Sequence, residues 1–192
     1  MTIYPIQTRR WTRREYRKLG ELGILREDEP VELIDGQLIV AEPKGTPHST
    51  AVALTADALH RAFGAGWLVR QQDPIAIGDH SEPEPDVVVV PGSPRDYLDD
   101  HPARPVLLVE VAEASLLYDR HHKGSLYARA GLADYWIVNL VDRRLEVYRR
   151  PAEDPGAEFG WRYLGVEILA AGSSVAPLAR RGARIAVADL LP

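Results

Sequence analysis

The chain has 192 residues, a length that suits one domain and supplies enough apolar side chains for a single core. Its 23 basic and 28 acidic residues give a net charge of -5, which excludes binding to nucleic acid by bulk electrostatics alone. It has no cysteine, so disulfides and thiolate chemistry are excluded, and any metal must be held by oxygen or imidazole ligands.

The first third of the chain predicts a helix, a hairpin and a longer helix. Thr12 suits an N-cap and Glu15 stands at N3, a capping box that opens a helix over about 13–19. Asp35-Gly36 lies between two short runs rich in apolar residues, which is a strong signal for a two-residue hairpin turn. The apolar spacing over 48–63 predicts an amphipathic helix.

The remainder of the chain predicts mostly strands, with one further helix over about 117–130. Because helices and strands are interspersed without a linker or a repeat, we expect one domain, residues 1–192. Its predicted fold class is α/β, with a central mixed β-sheet flanked by helices. The predicted strands cover 67–71, 74–77, 86–90, 106–112, 135–140, 145–149, 161–169 and 175–178, before a weak terminal element at 184–191.

Two acidic residues stand out because each belongs to a run of β-branched and apolar residues. Asp86 begins the run Val87 to Val90, and Glu110 lies between Val109 and Val111. An ionised carboxylate inside a buried strand is costly unless it is paired or bound to a metal. On the helix that follows, Asp119, Lys123 and Tyr127 are spaced at i, i+4 and i+8 and are expected on one face.

These residue types suit phosphoester chemistry. If Asp86 and Glu110 lie at the same edge of neighbouring strands, their oxygens can bind Mg²⁺, which keeps several waters and needs few protein ligands. A metal-activated water can attack phosphorus, and the Lys123 ammonium can orient it or stabilise developing charge. Alternatives remain open: Asp86 as a strand-entry residue, Glu110 paired with an arginine, Lys123 in an exposed pair with Asp119, and Tyr127 as a core residue.

The motifs of residues 11–149 together resemble the Uma-two family, a bacterial group of restriction-endonuclease-like proteins in the PD-(D/E)XK nuclease superfamily. The motifs that carry the resemblance are Val31-Glu32-Leu33-Ile34-Asp35-Gly36, His48, Pro85-Asp86-Val87, Glu110-Val111, Asp119 with Lys123 and Tyr127, and Gly131 followed by Tyr135-Trp136-Ile137-Val138. The resemblance implies a restriction-endonuclease-like α/β core, a divalent metal and phosphodiester hydrolysis.

The resemblance also implies roles for particular residues. Asp86 and Glu110 match the two metal-binding acids. The superfamily's usual lysine follows the second acid by two residues, where this chain has Ala112, and Lys123 matches the helix lysine that replaces it. Three further positions are expected to contribute: Glu32 as an additional catalytic acid, and His48 and Tyr127 as substrate contacts, with a capping or packing role as the alternative for His48.

The function expected from these observations is endonucleolytic hydrolysis of DNA with Mg²⁺ or Mn²⁺ as cofactor. An inactive nuclease-fold interaction module and a metal-dependent hydrolase of a small phosphoester are the alternatives. The segment 110–115 lacks the family's serine-proline loop, and Asn139 replaces a common aspartate. No apolar run could span a bilayer and no apolar stretch follows the N-terminal arginines, so we expect a cytoplasmic protein without membrane contact, and by analogy a homodimer.

Overall fold

A computed structural model describes residues 8–26, 28–40 and 44–192. Its helices are α1 (Arg13–Glu21), α2 (Thr46–Phe63), α3 (Leu116–Tyr118) and α4 (Gly124–Arg129), with a π-helical turn (Asp119–Lys123) between the last two. Its strands are β1 (Val31–Ile34), β2 (Gln37–Val40), β3 (Trp67–Gln71), β4 (Val87–Pro91), β5 (Leu107–Ala112), β6 (Asp134–Asn139), β7 (Arg144–Glu153), β8 (Trp161–Ala170), β9 (Ser174–Val175) and β10 (Ile185–Ala186).

Six of the strands form the central sheet, in the order β3-β4-β5-β6-β7-β8. Only the β5–β6 pair is parallel, and the connection between these strands is the segment that contains α3, the π turn and α4. The other neighbours are antiparallel, so the predicted mixed sheet is confirmed. Within the described residues, no helix has the length and apolar character needed to cross a membrane.

The central strands β4, β5 and β6 are buried on both faces, which explains why they are nearly continuous apolar runs. Val87, Val109 and Trp136 point to one face and pack in the cluster that contains α2. Leu108 and Ile137 point to the other face and pack with residues of α4. Alternate residues of one strand therefore serve two separate cores.

The register of β4 and β5 positions the two acids. Val87 pairs with Val109 and Val88 with Leu108 in this antiparallel ladder. Extending the register by one residue sets Asp86, at the entry to β4, opposite Glu110 in β5. Because opposite residues in a ladder point to the same face, the two carboxyl groups are neighbours, as the sequence predicted.

The short signals near the N-terminus are confirmed. The Thr12 side chain accepts from Glu15 N–H while the Glu15 carboxylate accepts from Thr12 N–H, so the capping box begins α1. β1 and β2 pair in antiparallel fashion about Asp35 and Gly36, whose φ angles of 46° and 82° are those of a primed hairpin turn.

Replacing Gly36 by alanine is expected to destabilise the protein by about 1–2 kcal/mol, because alanine is strained at a positive φ. The added Cβ would also lie 2.6 Å from Arg10 Cβ, which packs against the turn. Urea denaturation measures the change, with Gly66→Ala, at φ 85° in open space, as the control that reports the φ penalty alone. Equal destabilisation in both variants would contradict the packing part of this explanation.

Three predicted elements differ from the structure. Residues 74–77 are not a strand: Ile75 N–H donates to Pro83 O and Ala76 N–H to Pro102 O, so the segment is bound to two loops instead of a ladder. The predicted helix over 117–130 is interrupted by the π turn. Over 175–178, only Val175 belongs to a strand, because the next residues include Pro177, which has no N–H to donate.

Candidate active site

A cavity of about 330 Å³ opens where the entry of β4 and the end of β5 meet the π turn, the first turn of α2 and the β1–β2 hairpin. Its polar lining is unusually rich in ionisable groups, with six carboxyl side chains against two lysines. The ionisable and aromatic lining residues are Glu32, Lys44, His48, Glu84, Asp86, Glu110, Glu113, Tyr118, Asp119 and Lys123.

Asp86 is held by three donors. Lys44 Nζ lies 3.1 Å from Oδ1, His48 Nε2 lies 3.2 Å from Oδ2, and Val111 N–H donates to Oδ2 at 2.8 Å. Burial alone would raise the pKa of this carboxyl group, but the hydrogen bond from His48 and the charge of Lys44 outweigh it and hold the pKa at about 2. Asp86 is therefore ionised at neutral pH.

Glu110 is buried beside Asp86 in a less favourable environment. Its Oε1 accepts from Lys123 Nζ at 3.1 Å and from the Tyr127 hydroxyl at 2.7 Å, while Oε2 has only a long contact of 3.4 Å with Asp86 N–H. Burial raises the pKa of Glu110 to about 8, against the charge of Lys123 and with the help of nearby acids, Asp119 first among them. The site thus carries negative charge that its own lysines do not fully balance.

Lys123 lies between two acids from different parts of the chain. Its Nζ is 3.1 Å from Glu110 Oε1 and 3.2 Å from Glu32 Oε1, and the side chain is 9% exposed. Burial would lower the pKa of Lys123, but Glu110 and Glu32 raise it well above the usual value, which favours the charged ammonium. The bond to Glu32 also ties the hairpin to the π turn.

The π turn explains how Asp119 and Lys123 both reach the cavity. Gly124 N–H bonds to Asp119 O, five residues back, so this turn is wider than an α-helical one. Asp119 does not bond to Lys123 but accepts from Ser115 Oγ at 2.6 Å. Burial raises the pKa of Asp119 to about 6, opposed by Lys123.

Glu146 is a second buried acid of the same sheet, and its hydrogen-bond partners differ from those of Glu110. It lies in the same row as Glu110, because Glu110 pairs with Ile137 and Ile137 with Glu146. Its carboxylate accepts from Arg120, Asn139 and Tyr148, whereas Glu110 has an oxygen without a close donor. Glu110 therefore has a carboxylate oxygen free to bind another group, among the described residues, whereas Glu146 does not.

The structure brings five of the six residues predicted from the sequence to the cavity wall. They are Glu32, His48, Asp86, Glu110 and Lys123. The sixth, Tyr127, lies behind Glu110 at 0% exposure and outside the cavity lining, so its hydroxyl positions Glu110 and does not reach a substrate.

The structure also bears on the alternative roles that the sequence left open for Glu110, Lys123 and Asp86. Glu110 is paired with Lys123, and among the described residues no arginine bonds to it. Lys123 is buried, so an exposed Asp119–Lys123 pair is not what the structure shows. The Asp86 side chain accepts a backbone bond, but from Val111 on β5, 25 residues away, instead of from its own strand entry, and it binds Lys44 and His48 as well.

Sequence reasoning missed Lys44, Glu84 and Tyr118. Lys44 is one of only three lysines in the chain and precedes His48 by four residues, which is a usable but weak signal. In contrast, the arginine-rich N-terminal segment lies outside the cavity lining. Arg13 and Arg17 each lie 2.8 Å from Glu82, and these ion pairs hold α1 against the loop before β4.

The donor set fits a hard divalent cation. In the part of the chain that the structure describes, no three acidic or histidine side chains enclose a metal by themselves. Mg²⁺ nevertheless binds through one or two carboxylates and several waters. Asp86 and Glu110 are adjacent, oxygen-bearing and surrounded by surplus negative charge, so they meet that requirement.

A mixed sheet with adjoining acids at the ends of two central strands is the arrangement of a restriction-endonuclease-like protein. The chain belongs to the Uma2 family, whose model is described as "Putative restriction endonuclease" and matches residues 13–188. The resemblance seen in the sequence is therefore confirmed, and it extends beyond residue 149 to the C-terminal elements.

Among solved structures, the chain is similar to a protein of Anabaena variabilis described as "a putative nuclease belonging to DUF820". The TM-score is 0.63 at 19% sequence identity, over 90% of this chain and 96% of that one. This likeness establishes the nuclease-like fold. No curated protein matches the chain.

Proposed function

We propose that this chain is an endonuclease that hydrolyses phosphodiester bonds of DNA with Mg²⁺ or Mn²⁺. The observation that carries the proposal is the convergence of Asp86, Glu110 and the Lys123 ammonium at one wall of a cavity. The family description supports a nuclease, while the metal and the DNA substrate are inferred from the chemistry of these residues.

Asp86 and Glu110 would hold the divalent ion, which supplies Lewis-acid stabilisation of charge on the phosphate. His48 and Val111 N–H keep Asp86 ionised and oriented before any ligand arrives. Tyr127 and Lys123 orient Glu110 through Oε1 and leave Oε2 available. Preorganised donors of this kind act without further rearrangement when charge develops.

Lys123 has a second task in the proposed reaction. Its ammonium is buried, charged and part of the cavity wall, so it can donate to a phosphate oxygen or to the attacking water. Glu32 accepts a second hydrogen bond from the ammonium, so Lys123 is positioned between Glu32 and Glu110 and is not paired with Glu110 alone. Glu32 is therefore a positioning residue in this proposal.

Replacing Lys123 by methionine is expected to lower the rate of cleavage by at least about 100-fold, because one preorganised donor to developing charge is lost. Nicking of plasmid DNA and cleavage of labelled single strands, each with Mg²⁺ and Mn²⁺, measure the effect. Lys18→Met is the matched control, since Lys18 is 62% exposed on α1.

A folding defect is a separate explanation for such a loss, because Lys123→Met leaves two buried carboxylates without their cation. The double variant Lys123→Met, Glu32→Gln removes one of these charges and is expected to recover thermal stability but not cleavage. Wild-type cleavage by a folded Lys123→Met variant would contradict the assigned role.

The proposed function is tested by titrating the wild-type protein with Mn²⁺ in a calorimeter and assaying DNA and RNA cleavage in parallel. A saturable heat of Mn²⁺ binding together with DNA cleavage supports the proposed function. A folded protein without metal affinity would instead assign the chain to the interaction modules, and hydrolysis of a nucleotide ester but of no polynucleotide would assign it to the small-phosphoester hydrolases. The expected homodimer and cytoplasmic location remain predictions.

A further inference from the structure

Aromatic side chains form a continuous stack that begins at the cavity. Tyr118, in the cavity wall, stacks on His122 with ring centroids 4.8 Å apart and an interplanar angle of 22°. His122 meets the Phe159 ring edge-on at 4.8 Å, and the Arg129 guanidinium lies over the Phe159 ring, also at 4.8 Å. The stack therefore joins Tyr118, in the cavity wall, to residues outside the cavity lining.

The helix geometry sets this stack beside the proposed catalytic groups. Tyr118 directly precedes Asp119, and His122 directly precedes Lys123. Asp119 and Lys123 are buried toward the sheet, so the aromatic pair occupies the adjoining strip of the same helical segment. Tyr118 and the acid pair therefore line the same cavity.

Tyr118 is the end of the stack that borders the cavity. Within the described residues its only ring–ring contact is with His122, and it also lines the cavity. Its hydroxyl is buried without a hydrogen-bond partner, which is uncommon for a group that serves only packing. Burial lowers the pKa of His122, opposed by Glu158, so the ring beneath Tyr118 is a neutral imidazole at neutral pH.

We propose that Tyr118 is a nucleobase-stacking residue, which receives a base adjacent to the cleaved phosphodiester. The inference rests on the proposed nuclease function and deepens it by naming the form of the substrate. A base in a duplex already has stacking partners on both faces, so it must be unpaired or turned out to lie on Tyr118. The substrate class is therefore single-stranded or locally unpaired nucleic acid.

Photocrosslinking to an iodouracil-substituted single strand tests the stacking directly, because this base crosslinks to an aromatic ring on which it lies. The substitution is moved along the strand one position at a time, and Glu110→Gln protein is used so that the strand stays intact. We expect a crosslink at Tyr118, identified by mass spectrometry, from one or two positions of a single strand and from none in a fully paired duplex.

Three substitutions in the otherwise wild-type protein separate the ring from other roles. Tyr118→Leu is expected to raise KM for a single strand about 5- to 150-fold, the range for loss of one base–aromatic contact. Tyr118→Phe keeps the ring and should keep KM near the wild-type value. Tyr97→Leu is the matched control, because Tyr97 lies on the 3₁₀ turn after β4 and outside the cavity lining.

The outcomes distinguish this inference from the proposed function. Metal-dependent cleavage with an unchanged KM in Tyr118→Leu, or a crosslink at another residue, would overturn the stacking role and leave the nuclease assignment intact. A crosslink at Tyr118 without cleavage of any polynucleotide would support stacking and remove the nuclease assignment. Equal crosslinking to duplex and single strand would overturn the preference for unpaired bases.

Discussion

Replacing Glu110 by glutamine is expected to lower the rate of metal-dependent cleavage about 100-fold or more, without lowering thermal stability. The carboxylate is one of two proposed metal ligands, and the neutral amide is a poor substitute for Mg²⁺. The same amide removes a buried charge that burial makes costly, as the raised pKa of Glu110 indicates. Activity and stability are therefore expected to change independently, or in opposite directions.

The pH dependence of stability gives a second measurement on Glu110. Its pKa rises from an ordinary 4.5 to about 8 on folding, so the folded protein binds more protons than the unfolded chain between these values. Stability contributed by this group is present below pH 4.5 and is lost as pH rises toward 8. Metal-free wild-type protein should lose stability over that window, and Glu110→Gln should lose less.

Urea denaturation in the presence of a chelator, at pH 5 and pH 8, measures this difference, and cleavage assays with Mg²⁺ and Mn²⁺ measure the loss of activity. The contrary result is a Glu110→Gln protein that cleaves at the wild-type rate. A variant that unfolds at neutral pH would equally contradict the account, because it would give Glu110 a structural role.

The acid pair could be predicted from the sequence because it breaks a strong local pattern. Asp86 and Glu110 belong to runs of β-branched residues that indicate buried strands, and a carboxylate in a buried strand is rare because its burial is costly. The capping box at Thr12 and the turn at Asp35-Gly36 were predictable for the same reason, since their geometry is set by residues within four positions of one another.

The features that could not be predicted depend on distant parts of the chain. The π turn over 119–123 has no distinctive composition, and its Lys123 bonds to Glu32, 91 residues away. Lys44 reaches Asp86 across 42 residues, and Ile75 bonds to a loop instead of a neighbouring strand. Local periodicity carries no information about such partners.

Replacing Glu146 by glutamine is expected to destabilise the protein by about 2–4 kcal/mol, somewhat less than breaking a fully buried ion pair, because Arg120 is partly exposed. Burial would raise the pKa of Glu146, but hydrogen bonds from Arg120, Asn139 and Tyr148 outweigh it and hold the pKa at about 2. A lowered pKa means stability that is present above pH 4.5 and lost as pH falls toward 2.

The Glu146→Gln variant is therefore the counterpart of Glu110→Gln in the same row of the sheet. Denaturation midpoints at pH 7 and pH 3 should show a large difference from wild type at neutral pH and a smaller one in acid. Cleavage per folded molecule should be unchanged, because Glu146 lies outside the cavity lining. A Glu146→Gln protein that kept wild-type stability but lost cleavage would contradict this assignment. Glu146 would then be required for cleavage, as is proposed for Glu110, and not for the stability of the fold.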